Sequence, residues 1–551
     1  MLLDIPQHLK QPFKLLIIII ILLGILFRFT NLEQKVSWGD ETFSAFRMAG
    51  YTMTEMEQKL INSPPIGLEN LQHYLQVNPD KTWRDTLNSL ATEDPHHTPL
   101  YFIIGRGWQH LLGTSLTVQR SLSVFLSLLI FPAIYWLCQE LFPSTLTPWI
   151  AMAIVAISPF HVLYSQEVRQ YSLWTVLTLA SSAALLQAIR RNQKQDWWIY
   201  SLTLVCGLYT HLFYSLVAIS QGIYLIFTQR RLTSIFKSYF IASCGAIFLF
   251  SPWLWVILQN LSRVETMNAG HKESVNLSTL IYSWTLNFSR IFIDLDPQGE
   301  IISSSHNLTK ILPVFILLSL ITFLVYSSYY LYKNTHFKTW FFIFILGGLT
   351  FLTLAIPDLI LGGIRSTHGR YLIPVYLAIQ ITVSYYISDQ IQQQQHPPKI
   401  TQFSKPHPAP WGKPLLIVLL SIGILSCSIS SQAEVWWTKG GSYHHPEIAK
   451  IINQSQNPLL ISDGKIPRIL SLTYLLKPTV KIQLVHPWEL PPIPAGFTLF
   501  LYAPSPELVN KIAKLPNYSE KTCHTFSAIY QYLEPLAKHS NLWLCEFVAK
   551  D

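Results

Sequence analysis

The sequence predicts a polytopic α-helical membrane protein with a small α/β domain at its C-terminal end. Three observations predict it. Charged residues make up 13% of the 551 positions and apolar ones 50%, against about 25% charged in a typical soluble chain. The apolar residues fall in long blocks, as a bilayer requires and soluble cores do not, and mean hydropathy is +0.30. Beyond residue 431 the blocks stop, and short strand-like and helix-like segments alternate. Several soluble domains and intrinsic disorder are both excluded. The excess of 39 Lys+Arg over 30 Asp+Glu reads as cytoplasmic-flank charge on a membrane protein, with no nucleic-acid partner.

The first apolar run, 15–27, follows Lys10 and Lys14 and is followed by Arg28, Phe29 and Thr30. No small-residue cleavage site follows it, so it reads as a retained helix with its amino end in the cytoplasm. Further runs at 118–139, 147–164, 171–189, 197–211, 212–229, 238–258, 310–332, 339–358, 371–388 and 414–431 bring the expected spans to about 11. Segment 99–112 is apolar but short, and Arg106 stands in its middle. A full crossing takes about 20 residues, so this segment reads as a helix lying in the interface. Charge decides the matter. Without that crossing, Arg190, Arg191 and Lys194, then Arg230, Arg231 and Lys237, then Lys333 and Lys338, then Lys399, Lys405 and Lys413 all fall in cytoplasmic loops. With it, every cluster moves outside, against the positive-inside rule.

This topology gathers residues 31–117, the turn near 164–171, loops 259–309 and 361–370, and the tail on the outer face. Segment 391–412 is a polar, Pro-rich cytoplasmic linker. The expected division is a membrane unit over 1–431, with 31–117 as its first outer loop, and an extracytoplasmic α/β domain over 432–551. In the tail, 457–464, 480–485, 497–503, 528–533 and 542–549 read as strands, and 467–476 and 506–514 as helices. There is no G-x-G-x-x-G and no P-loop, hence no nucleotide site. Six cysteines form no C-x-x-C motif; Cys523 and Cys545 pair if their domain lies in an oxidising compartment.

Five clusters on the outer face carry chemistry. Trp38-Gly39-Asp40-Glu41 reads either as an N-cap at a helix start or as a carboxylate pair tuned by partial burial. Asp94-Pro95-His96-His97 leads through Thr98 and Pro99 to Tyr101 and reads either as a bare loop or as a site for metal or phosphate. Glu167 and Arg169 lie between two apolar helices with little loop to solvate them, so they form a structural pair or a functional one. His211 lies where two spans meet. Arg365, His368 and Arg370 precede a helix, a place for a phosphate or for headgroup anchoring. What unites the five is sidedness: acids, histidines and arginines against a membrane fit transfer chemistry on a lipid phosphate.

Taken in order, Trp38-Gly39-Asp40-Glu41, His97-Thr98-Pro99-Leu100-Tyr101, Ser158-Pro159, Gln166-Glu167-Val168-Arg169-Gln170-Tyr171, Tyr209-Thr210-His211 and Gly369-Arg370-Tyr371-Leu372 resemble the GT-C glycosyltransferases of family 39. That family includes protein O-mannosyltransferases and the aminoarabinose transferase acting on lipid A. The resemblance implies a GT-C-like fold and inverting transfer from a polyprenyl-phosphate sugar, on the extracytoplasmic face of the cell inner (plasma) membrane. It maps the base to Asp40, with Glu41 supporting the loop or sharing the role, and makes Glu167 the nearest candidate for a second acid. Arg370 and Tyr371 would face the donor phosphate, with Arg169 and Arg365 in reserve. His97, Tyr101 and His211 would line the substrate. The acceptor stays open among lipid, glycan and protein. No cofactor is assigned; a divalent metal is left open, with His444 and His445 as further candidate ligands. The lipid A enzyme carries an acid and a lysine where this chain has His96-His97. A lipid-linked sugar flippase without chemistry is the alternative, and it needs no base at position 40.

Overall fold

The computed structural model describes residues 11–229, 233–263, 274–296, 307–395, 411–494, 496–526 and 542–549. Every apolar run falls on a helix. The first is Gln11–Phe29, and Leu116–Leu128 is continued by Ile130–Leu141. Thr147–Ala156 with Pro159–Ser165, Tyr171–Arg191, Lys194–Leu208 and Tyr214–Thr228 follow. Ser234–Gln259, Asn307–Asn334, Phe337–Leu361, Ile373–Gln395 and Gly412–Gln432 complete the set. Among the described residues, seven helices are long and apolar enough to cross a membrane, or eight if the bent pair is one span. Lys194–Leu208 and Tyr214–Thr228 have 15 residues each, fewer than the roughly 20 of a full crossing. The chain is a multi-pass membrane protein.

The bent pair turns by 59° at Ile157-Ser158, where Pro159 has no N–H to continue the ladder. The break leaves carbonyls without intrahelical partners. Arg28, fully buried, donates to them: Nη1 to Ala156 O at 2.5 Å and Nη2 to Val155 O at 3.1 Å. The two helices touch at Gly24, where a Cβ would lie 2.3 Å from the Ala156 carbonyl oxygen.

Burial ranks the spans. Tyr171–Arg191 and Gly369–Gln393 are 83% buried, while Ser234–Gln259 and Val314–Asn334 are 28% buried. The first two therefore form the centre of the bundle, and the others present Phe240, Phe248 and Phe315 outward to lipid. Arg169 and Arg370 sit at the N-terminal ends of the central pair, where the helix dipoles add positive potential.

The first loop folds into helices Gly39–Ala49, Met53–Leu60, Leu68–Gln72, Trp83–Glu93 and Leu100–Leu112. Leu100–Leu112 is the expected short helix, but its arginine does not reach toward lipid headgroups. Arg106 is buried and donates to Met48 O and Ala49 O at 3.0 Å each, and to Lys81 O. It thereby closes the C-terminal end of the Gly39–Ala49 helix.

The tail builds a sheet from β2 (Pro458–Ser462), β3 (Lys481–Leu484), β4 (Thr498–Tyr502), β5 (Tyr518–Phe526) and β6 (Leu542–Ala549). A sixth strand, β1 (Ile66–Gly67), comes from the first loop and pairs antiparallel with β3, so the tail's sheet is not closed at residue 432. The order is β1-β3-β2-β4-β6-β5, with β2 parallel to β3 and β4. The sequence signals mark β2, β3, β4 and β6, and both expected helices form, as Ile466–Leu472 and Pro506–Ala513. They miss β5, whose Ser519-Glu520-Lys521-Thr522 stretch is too polar to read as a strand. The strand expected at 528–533 lies outside the described residues. Cys523 and Cys545 face one another across β5 and β6 and are joined as a disulfide.

Gly24→Ala should separate the first helix from the Thr147–Ala156 helix and lower stability by about 1–3 kcal/mol, the usual cost of overpacking. A fall in the thermal midpoint of the detergent-solubilised protein checks this.

Candidate active site

Asp40 and Glu41 occupy the first turn of the Gly39–Ala49 helix. Asp40 is not the N-cap: the helix starts one residue earlier, after Trp38. Adjacent helical residues point about 100° apart, so the two carboxylates meet different surroundings.

Glu41 turns inward. Its two oxygens accept from Arg120 Nε and Nη2 at 2.8 Å each, and Oε1 also accepts from Val168 N–H at 3.2 Å. Lys439 Nζ lies 3.2 Å from Glu41 Oε2 and 3.3 Å from Glu167 Oε1. All four side chains are within 1% of complete burial. Arg120 is completed by the carbonyls of Leu32, Lys35 and Val36. Burial acts to raise both carboxylates. For Glu41 the charges of Arg120 and Lys439 outweigh it, holding the group low; for Glu167 burial outweighs Lys439, and its pKa rises.

Asp40 turns toward a cavity. Its Oδ2 lies 3.1 Å from Arg370 Nη1 and 3.9 Å from Arg169 Nη2. Arg169 also donates to Ser44 Oγ at 3.2 Å and to His97 Nε2 at 2.9 Å. A guanidinium only donates, so His97 Nε2 accepts, and the ring carries its proton on Nδ1. That proton is directed to Asp94 Oδ1 at 3.0 Å. Arg47 lies 2.8 Å from Glu93 and 3.8 Å from Asp94, securing the far end of the chain. Burial acts to raise Asp40, but Arg370 and then Arg169 outweigh it and hold the carboxyl below its ordinary range. Asp94 follows the same balance, burial against His97, His96 and Arg47, and is also held low.

The cavity holds about 320 Å³ and is lined by Asp40, Asp94, His96, His97, Arg169, Tyr171, His211, Arg370 and Tyr371, with apolar neighbours. His211 is stacked on Trp174 at 4.1 Å, and burial first, then the nearby cations, keep its imidazole well below the usual pKa.

The sequence-derived candidates thus separate. Asp40, His97, Arg169, His211, Arg370 and Tyr371 line the cavity; Glu41, Glu167, Tyr101 and Arg365 do not. Tyr101 is buried against Ser123 Oγ at 2.7 Å. Arg365 is taken by Asp358 at 2.9 Å. Glu41 and Glu167 stand in the ion cluster behind the cavity wall. Sequence reasoning missed Arg120 and Lys439. Arg120 was legible in principle, as a charge inside an apolar run; Lys439, in a Trp-Trp-Thr-Lys-Gly-Gly stretch of the tail, carried no signal for a partner hundreds of positions away.

Asp94, His96 and His97 bring ligand atoms within 4.8 Å of one another, a group able to hold a metal ion. A metal on His97 Nδ1 would need the proton moved to Nε2, which the Arg169 donor opposes. Metal binding through His97 and the Arg169–His97 bond therefore exclude one another. His444 and His445 lie outside the group, and His445 is committed to Tyr502 OH at 2.7 Å.

A family model described as dolichyl-phosphate-mannose-protein mannosyltransferase matches residues 96–256, which include His97, Arg169 and His211 but neither Asp40 nor Arg370. No curated protein matches the chain. Among solved structures, ArnT from Cupriavidus metallidurans bound to undecaprenyl phosphate is similar, with TM-score 0.51 and 11% identity, over 98% of each chain. Its apo form gives TM-score 0.50 and 10% identity over 97% of this chain and 98% of that one. The archaeal oligosaccharyltransferase AglB from Archaeoglobus fulgidus, in complex with an inhibitory peptide and a dolichol-phosphate, gives TM-score 0.46 and 13% identity over 85% of this chain and 65% of that one. The likeness to ArnT is one of fold: this chain has the GT-C architecture that the sequence motifs resemble.

Two outcomes distinguish the neighbouring carboxylates. Glu41→Gln removes one charge from a buried ion cluster and should cost about 3–5 kcal/mol, seen as a lowered thermal midpoint, whereas Asp40→Asn should leave the midpoint near that of the parent. Because Arg370 lowers the Asp40 pKa, Arg370→Gln should raise it. Carbodiimide labelling, which needs a protonated carboxyl, should then reach Asp40 at a higher pH than in the parent, as read by mass spectrometry.

Proposed function

We propose that this chain is an integral membrane glycosyltransferase moving a sugar from a polyprenyl-phosphate donor to an acceptor hydroxyl, with Asp40 as base. One observation carries the reading: a carboxylate kept low in pKa by Arg370 and Arg169 stands on the wall of a cavity at the end of an apolar bundle. An apolar groove of about 590 Å³ supports it, lined by Pro99, Leu100, Ile103, Val205, Tyr209 and Trp253 among others. Pro99 and Tyr209 of the groove stand two residues from His97 and His211 of the cavity. A prenyl chain in the groove would deliver its phosphate to the arginines. Undecaprenyl phosphate, which ArnT binds, is a lipid of that kind.

In this mechanism Asp40 takes the acceptor O–H proton. The acceptor oxygen bonds to the anomeric carbon as the bond from that carbon to the phosphate oxygen breaks. The electron pair leaves with the polyprenyl phosphate, and the anomeric configuration inverts. Arg169 and Arg370 offset the charge on the leaving phosphate. A carboxylate held low is a weak base, so the proton moves late, when the leaving bond is largely broken; this suits an oxocarbenium-like transition state. Tyr371, His97 and His211 shape the cavity. Glu41 and Glu167 act as positioning residues, through the ion cluster that fixes the helix bearing Asp40.

The same reading puts the protein in the inner (plasma) membrane, with the amino end of its first helix in the cytoplasm. The Asp40 cavity and the 432–551 domain then lie outside, and the acceptor is a lipid, glycan or protein hydroxyl. Asp40→Asn should slow transfer by about 10²–10⁴-fold and leave polyprenyl-phosphate sugar accumulating in cells, measured by lipid profiling. Unchanged turnover in that variant would point to a flippase instead.

A further inference from the structure

A second chamber, of about 230 Å³, lies on the other side of Arg370, which lines both spaces. Its wall includes Trp38, Arg290, His368, Trp437, Gly440 and Gly441, and no carboxylate is among the described residues that line it. Arg290 is the unusual member. It is 4% exposed, yet among the described residues no hydrogen bond or carboxylate within ion-pair distance holds its guanidinium. Its Cζ lies over the face of Trp437, 3.8 Å from the ring centroid. The nearby Asp294 does not neutralise it at contact: that carboxylate accepts both Trp436 Nε1 and Trp437 Nε1, at 2.9 and 2.8 Å.

The C-terminal domain adds to the positive field. Gly440 has φ +48, a conformation glycine adopts at little cost, and a Cβ on Gly441 would lie 2.6 Å from Arg468 Nη2. The glycine pair thus lets the tail's Arg468 approach the chamber. A guanidinium lining a chamber whose described wall holds no carboxylate leaves its donors open to an anionic ligand.

We propose that this chamber is the acceptor subsite and that it takes an acceptor bearing a phosphate or carboxylate, with Arg290 as the specificity-determining residue. The assignment rests on the transferase reading above, which places the donor in the other cavity, where the apolar groove arrives. The Arg370 guanidinium, stacked 5.6 Å over Trp38, is the wall between the two spaces. A volume of about 230 Å³ is several times the ~30 Å³ share of one water but below the ~300 Å³ of the smallest drug-sized pockets. It therefore accepts a single headgroup or sugar unit and not a folded peptide.

Calorimetry on the full chain in phosphatidylcholine nanodiscs, saturated with undecaprenyl phosphate, tests this with two probes, inorganic phosphate and glucuronate. At least one probe should bind, at least tenfold more weakly to Arg290→Gln, and equally to Lys521→Gln, which removes a tail cation outside both spaces; which probe binds tells phosphate from carboxylate. Thr438→Phe, which fills the chamber while keeping Arg290, should abolish the same binding and serves if Arg290→Gln does not fold. Binding indifferent to both variants, or no binding of either probe to the parent, would overturn the proposal. No step of catalysis is read, so the outcomes separate. Arg290-dependent anion binding beside an indifferent Asp40→Asn sinks the transferase reading and with it the acceptor role, leaving an anion site only; the converse sinks the anion site and leaves the transferase reading.

Discussion

Glu41, Arg120, Glu167 and Lys439 meet out of reach of water, and the geometry of everything around them depends on that meeting. They come from the first loop, the Leu116–Leu128 helix, the turn between two spans and the segment leading into the tail. Charges removed from water are expensive, and each of these is tolerable only because the others, and the backbone carbonyls around Arg120, are in place. The cluster acts as a registry device. The first loop cannot slide against the bundle, nor the tail against either, without stranding a charge. Thr42 Oγ1, which donates to Pro467 O at 2.8 Å, and the β1–β3 pairing extend the same connection between first loop and tail.

That registry explains how two adjacent acids have such different surroundings. Glu41 faces the cluster and is fully paired. Asp40, one residue earlier, is turned to the cavity, with a side chain 28% exposed and two guanidiniums for neighbours. Arg370 stands in the first turn of one of the two most buried spans, and Arg169 lies in the turn two residues before the other, Tyr171–Arg191. A chain from Asp94 through His97 to Arg169 orients one of them. In the proposed transfer, charge placed by packing in this way needs no reorganisation as the phosphate departs.

The three spaces differ in chemistry. The groove is apolar, the cavity holding Asp40 is cationic, and Arg370 is shared by that cavity and the chamber whose wall includes Gly441, beside the tail's Arg468. The C-terminal domain is thereby more than an appendage. Its leading segment supplies Lys439 to the ion cluster, and Trp437, Gly440 and Gly441 to the chamber wall.

Apolar block length and charge asymmetry are local properties, so the sequence by itself determined the helices, the short helix 100–112, most of the tail's strands and the clusters worth attention. It also brought out Asp40, Glu41, Glu167, Arg169, Arg365 and Arg370 as candidates, because acids and arginines flanking apolar runs are costly to leave without a purpose. Only the tertiary structure decided which of two adjacent carboxylates reaches the cavity, since a turn of 100° is invisible until the helix is docked. The same holds for Arg120 and Lys439, for β1, and for Arg365, which a local Asp358 removes from contention. Each depends on a partner distant in the chain, or on the direction of one side chain, and neither leaves a periodic trace in the sequence.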